Sequence, residues 1–443
     1  MVAAPRRALN RLAVFFVAGA LAALLSVGLP GAALAKWGSP FDFAKPGTLD
    51  VLAPELAVAS SGASAAAFGI QDVDTPGTAQ AYLTLRSAQG AVGDPIPVTG
   101  ASQILALAYS RGSLELLTGT SSANQTCCSS AQATPVSASG QLGRPRTVVG
   151  GLAGTTRARL LTLKDGQMLA AVATQRGVWV AQSPRGDQFA GQRLLTGAGK
   201  IPQALAAAWL GAETTIVAWT AATGTAGTAD PRTISYATGS RTKAPRRVLS
   251  AVTIPAGHRI DELGLAARGG GATAAWIESW YDKHAIYHSQ VRAMDIAPHA
   301  APRTLSAANR LASGLTFGGD VAGDQALGWE SCTGDAACSA QVADRAARAL
   351  FGSTRTLGSA DPSQAPALAV GPQGQVAVGW VRGGQPVAST SGAHGRGLGG
   401  PVTLSPTTFA LDMTVGFGPG AQALAAWTQG TLNPSVVGVA GRF

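Results

Sequence analysis

Residues Pro366 to Trp380 read PALAVGPQGQVAVGW, two short apolar stretches joined by Gly371-Pro372-Gln373-Gly374 and closed by a tryptophan. Apolar alternation at period two marks strands, and a Gly/Pro-rich joint of this length marks the turn of a hairpin. The same shape recurs as MTVGFGPGAQALAAW, ending at Trp427, and in shorter copies ending at Trp219 (TTIVAW), Trp276 (GATAAW) and Trp329 (DQALGW). Successive tryptophans lie 57, 53, 51 and 47 residues apart. Three earlier copies put Phe68 (SAAAF), Leu117 (LELL) and Val172 (LAAV) at the tryptophan position, so the unit occurs eight times.

Each unit holds four strand-like segments. In the seventh they are Ala367 to Val370, Gln375 to Trp380, Gln385 to Ser389 and Pro401 to Ser405. The fourth segment returns as Arg146-Thr147-Val148-Val149, Arg193-Leu194-Leu195-Thr196, Arg247-Val248-Leu249-Ser250, Arg303-Thr304-Leu305-Ser306 and Arg355-Thr356-Leu357-Gly358. Repeated four-stranded units of this kind predict an all-β chain folded as one β-propeller of eight blades, seven being the alternative count. The blades are expected to start near residues 54, 104, 156, 202, 259, 310, 362 and 413. The eighth unit runs out after Met413 to Phe417, Gln422 to Trp427 and Ser435 to Val439. An orphan piece near the start, Pro46-Gly47-Thr48-Leu49-Asp50, resembles Pro401 to Ser405 and is predicted to complete the last blade. Such a closure leaves no open sheet edge. The repeated tryptophan is expected to fill the gap between blades, and the repeated arginine to charge an exposed outer edge.

Composition agrees with a folded β chain. Of 443 residues 46% are apolar and 13% charged, which excludes a disordered polyelectrolyte, and Gly 57 with Pro 25 argues against a helical bundle. Met1 to Ala35 reads as a secretory signal, with Arg6, Arg7 and Arg11, an apolar run from Leu12, and the cleavage pattern Ala33-Leu34-Ala35. Residues 36–53 would then carry the closing strand and 54–443 the propeller, at the cell-envelope exterior or secreted from a bacterium. The longest later apolar stretch, Ala204 to Ala222, is broken by Glu213, Thr214 and Thr215, so no transmembrane span is expected. The net charge of +10 falls to +7 without the three signal arginines, and no basic cluster is interleaved with aromatics, which disfavours nucleic acid as a partner.

Four cysteines in an exported chain imply two disulfides, for which three pairings exist. Cys332 and Cys338 flank a turn-like Thr333-Gly334-Asp335 and form the preferred bridge. Cys127 and Cys128 are adjacent, and would form a vicinal pair or else free or intermolecular thiols. Too few ligands stand beside them to hold a metal, and no phosphate-binding glycine loop is present, so neither metal nor cofactor is expected.

Propeller topology puts the loops between second and third strands on the same face as the blade junctions. Asp72, Asp74, Asp261, Glu262, Glu278, Asp282, Glu330 and Asp335 fall on that face. Its densest stretch is Trp276-Ile277-Glu278-Ser279-Trp280-Tyr281-Asp282-Lys283-His284. Trp280 or Tyr281 could stack on a sugar ring while Glu278, Asp282, His284 and Glu330 bind its hydroxyls. The competing reading is an ordinary solvated loop.

The order P-x-L-A-V, G-x-x-A-V-x-W, V-x-V-A-x-S, P-x-T-L-S resembles the degenerate repeats of bacterial secreted sialidase-like propellers. The resemblance covers nearly all of the chain after the signal and is carried best by Val178-Trp179-Val180-Ala181-Gln182-Ser183-Pro184-Arg185-Gly186-Asp187-Gln188-Phe189. The Asp-box of that family is incomplete here: Ser391-Gly392-Ala393-His394-Gly395-Arg396-Gly397-Leu398 keeps Ser and Gly but has Ala393 for Asp and Leu398 for the aromatic. The resemblance implies three arginines holding a carboxylate, a Tyr nucleophile activated by Glu, and an Asp acid. Arg157, Arg259 and Arg310, each preceding an innermost strand, match the first requirement, Tyr281 with Glu278 the second, and Asp282 the third. No Gly-x-Ser-x-Gly or His-Glu-x-x-His occurs. Three readings follow: a binding or scaffolding module for an extracellular glycan or protein, a sialidase-like glycoside hydrolase, and a purely structural envelope protein.

Overall fold

The computed structural model describes residues 36–443 except 45–49, 52–53, 72–79, 121–127, 153, 164–165, 187, 197–199, 212–213, 224–230, 241–242, 298–299, 335–336, 407–408, 419–421, 431–434 and 443. The signal segment 1–35, Asp72, Asp74, Asp335 and Cys127 therefore lie outside the described residues.

Eight antiparallel sheets follow one another along the chain, with a single 3-10 turn, Ala393–Gly395, as the one helical element among the described residues. The innermost strands are Glu55–Val58, Gln103–Ser110, Thr155–Thr162, Lys200–Leu210, His258–Arg268, Leu311–Gly319, Ala367–Val370 and Ala410–Phe417. Each touches the innermost strand of the next blade, and the eighth touches the first. The chain is thus an eight-bladed β-propeller.

The hairpin that opens the seventh blade forms as its sequence dictates. The Gly371 N–H donates to the Gln375 carbonyl at 2.7 Å, and Gly374 adopts φ +71°, a conformation open to glycine without strain. Trp219, Trp276, Trp329, Trp380 and Trp427 are all buried, each in an apolar cluster shared with the preceding blade. Phe68 and Val172 occupy equivalent seams. In the second blade the equivalent is Leu116, because Leu117 packs towards the third blade instead. A shift of one residue moves a strand side chain to the other face of its sheet.

Ring closure is achieved by the N-terminal residues, but not by the piece the sequence singled out. Lys36–Trp37 and Phe41–Ala44 both pair with the strand Ser435–Arg442, completing the eighth blade. Asp50–Val51 pairs instead with the strand Ser64–Gln71 of the first blade, and 46–49 lie outside the described residues. Phe43 is buried between the eighth and first blades, and its carbonyl accepts the Thr84 hydroxyl at 2.8 Å. Closure by Phe41 and Phe43 seals an apolar seam, which Pro46 to Asp50, with one large apolar residue, could not do.

The outer arginines divide. Arg193, Arg247 and Arg303 are exposed as expected, whereas Arg146 pairs with buried Glu115 and Arg355 with Asp344. Cys332 and Cys338 face each other across the second and third strands of the sixth blade and form a disulfide.

Candidate functional site

The second strand of blade five, Gly271–Tyr281, is eleven residues long, so Ile277 to Tyr281 belong to the strand and the loop is only 282–286. Its alternation sorts the candidate side chains onto two faces. Trp276, Glu278 and Trp280 face blade four, whereas Ile277, Ser279 and Tyr281 face blade six.

On the blade-four face, Trp280 lies opposite His258 on one neighbouring strand and His288 on the other. Both imidazoles stack on the indole, at 4.7 Å and 5.2 Å between ring centres. Beneath them Glu278, only 2% exposed, is held by His258 Nδ1 at 2.6 Å and by Arg292 Nη1, which donates at 2.8 Å. A carboxylate held on both oxygens by cationic or imidazole partners is a fixed structural anion. Asp282 closes the short loop: its Oδ1 accepts the N–H groups of His284 and Ile286, and its Oδ2 lies 3.2 Å from His288 Nε2. These bonds hold its carboxyl below the usual carboxylate range, the Ile286 N–H contributing most and the His288 side chain next. His284 is exposed on the loop tip.

On the blade-six face, Tyr281 is 67% exposed and packs against Tyr287 at 5.3 Å, two rings standing at the rim. Below that rim is a cavity of about 280 Å3 lined by Tyr287, Ser289, Ser313, Glu330 and the Cys332–Cys338 disulfide. Glu330 is 2% exposed; the Ser313 hydroxyl donates to its Oε2 at 2.8 Å, while its Oε1 has no partner among the described residues. Glu330, Cys332 and Cys338 offer three donor atoms within 4.8 Å, but both sulfurs are committed to the disulfide, so the trio does not fit a metal.

Glu262 positions this corner. Its carboxylate crosses from blade five and accepts the backbone N–H groups of Gly314 and Leu315, at 2.9 and 2.6 Å, in a bulge of the innermost strand of blade six. Gly314 sits there at φ +64°. The bulge immediately follows Ser313, the donor to Glu330. Burial pushes the Glu262 pKa up, and the two N–H bonds and the positive field of Arg157 partly offset that rise. Further around the channel, Arg159 and Glu55 are water-accessible yet walled in by protein; desolvation lowers the arginine pKa and raises that of the glutamate, each opposed by the other's charge.

The residues read as a sialidase-like set take separate places. Glu278 and Tyr281 face different neighbouring blades, and Glu278 is engaged by His258 and Arg292 rather than by a tyrosine. Asp282 caps its own loop. Arg157 faces the Glu262 corner, Arg259 is held by Asp261 at 2.7 Å and by Ser279, and Arg310 is half-buried before the innermost strand of blade six, its Nε without a partner among the described residues. Sequence reasoning missed His258, His288 and Arg292, although the alternation Tyr287-His288-Ser289-Gln290-Val291-Arg292 places two of them on one face.

No protein-family model matches this chain, and no curated protein matches it. Among solved structures it is similar to an ulvan lyase from a new family of polysaccharide lyases, with TM-score 0.49 and 8% identity over 90% of this chain and 95% of that one. It is likewise similar to the Penicillium chrysogenum α-L-arabinanase complexed with arabinobiose (0.44, 12%, 91% and 98%) and to a protein of unknown function from Dyadobacter fermentans (0.45, 9%, 94% and 100%). At these identities the likeness is one of fold. Among the described residues no helix is long and apolar enough to cross a membrane.

Proposed function

We propose that this chain is an exported binding module that holds a glycan on the channel mouth at blades five and six. The observation that carries the reading is the exposed Tyr281 ring packed on half-buried Tyr287, which lines a cavity with the buried carboxylate Glu330 at its wall. Aromatic faces stack on the apolar side of a sugar ring, and a carboxylate accepts hydroxyl protons at its edge. The disulfide and the signal-like residues 1–35 support export.

The hydrolase reading asks Glu278 to activate Tyr281, and the strand turns those two side chains away from each other. That geometry favours the binding reading over this hydrolase mechanism. It is tested by applying the purified protein and a Tyr281→Ala variant to a glycan array. Because Tyr281 is exposed, the variant keeps its fold, and loss of the wild-type signals supports the site. Identical signals from both proteins would move the site elsewhere.

A further inference from the structure

The cavity at blade six carries an electrostatic imbalance that neutral sugar hydroxyls do not use fully. Glu330 is nearly excluded from water, makes no ion pair among the described residues, and has one oxygen satisfied by Ser313 and one satisfied by none. An ionised carboxylate in such a place is costly unless a donor, and best a cation, reaches it. Among the described residues the rest of the wall offers no cation: Leu311, Pro362, the disulfide and the side chain of Tyr287 are its larger parts. Aromatic faces attract ammonium groups through the ring quadrupole. At about 280 Å3 the cavity lies just below the ~300–1,000 Å3 range of ligand pockets, which suits one ring rather than a length of chain.

We propose that this cavity takes a protonated primary amine, and that the glycan bound on the tyrosine rim is one bearing a free amino sugar. This rests on the glycan reading above and adds the charge of the ligand. The ammonium pairs with the Glu330 carboxylate from the cavity side, a small shift of the side chain uncovering Oε1, which is shut off from solvent in this structure; Ser313 keeps Oε2, and Glu262 fixes Ser313 by pinning the bulge that follows it. An acetylated amine brings neither the charge nor the slimness the cavity selects.

Calorimetric titration with a glucosamine tetramer and with its fully N-acetylated counterpart tests the assignment on the wild-type protein alone. The free-amine tetramer is expected to bind at least tenfold more tightly. A Glu330→Gln variant, whose folding is verified by its denaturation midpoint, is expected to erase that preference. Equal affinity for the two tetramers, or a preference that survives Glu330→Gln, overturns the proposal. Array binding of neutral glycans with no response to the amine overturns it alone, whereas silence across the whole array, amine included, overturns the glycan reading as well.

Discussion

Glu278 and Tyr281 stand on opposite faces of one strand, Glu278 towards blade four and Tyr281 towards blade six. Three residues of separation in a strand always divide two side chains in this way. The pair therefore splits into two jobs: Glu278 anchors the His258–Trp280–His288 stack, and Tyr281 presents a ring to solvent.

If Glu278 is an anchor, its loss should register in stability. Glu278→Ala leaves Arg292 and His258 without their partner in a part-buried seam, a penalty of about 1–3 kcal/mol. Urea denaturation should show a lower midpoint with an unchanged slope. A Glu278→Ala protein as stable as wild type would show the anion to be dispensable and reopen a chemical role for it.

Ring closure offers a second test. A Cβ built on Gly438 would meet the Phe43 ring at 2.6 Å and the Phe41 ring at 3.0 Å, so Gly438→Ala should push the closing strand off its partner at about 1–3 kcal/mol. Phe43→Ala empties the same seam and should cost about 3–5 kcal/mol. Hydrogen exchange should then accelerate first in the strand Ser435–Arg442. Uniform acceleration around the ring would contradict a local Velcro-like closure.

The Glu262 carboxyl gives a pH signature. Burial raises its folded-state pKa above the unfolded value of about 4.3, so the native protein binds this proton more readily than the unfolded chain. Its contribution to stability consequently increases as pH falls from neutrality through the raised pKa, and levels off near pH 4.3. Glu262→Gln retains one acceptor for the bulge and removes the titration. The denaturation midpoint of the variant should vary less with pH over that window, and an unchanged pH profile would place the dominant proton elsewhere.

The architecture was legible because hairpins and buried tryptophans leave local patterns. Trp380 and its four counterparts each mark a second strand, and the Gly371 to Gly374 turn fixes the first pair. What the sequence misplaced was the N-terminal piece that closes the ring. Pro46 to Asp50 matched a repeat by composition, whereas Phe41 to Ala44 had the larger apolar area for the seam. Leu117 was placed one residue off, since LELL alternates equally well in either register and only packing against the neighbouring blades separates Leu116 from Leu117.

The site was half legible. Tyr281, Glu278 and Asp282 read in sequence as one loop, whereas the strand runs to Tyr281, farther than its apolar core suggests, and turns Glu278 to its other face. The partnership of Glu330 with Ser313, and of Glu262 with the bulge after it, joins residues 17 and more than 50 positions apart. No local pattern encodes such contacts.

The most direct test of the central claim is to take a glycan that binds on the array, titrate it into wild-type and Tyr281→Ala protein, and follow the same mixtures for released sugar over a day. Binding without turnover predicts saturable heat with wild type, at least a tenfold loss of affinity in the variant, and an intact glycan throughout. Release of product by wild type, abolished in Glu278→Gln, would contradict it.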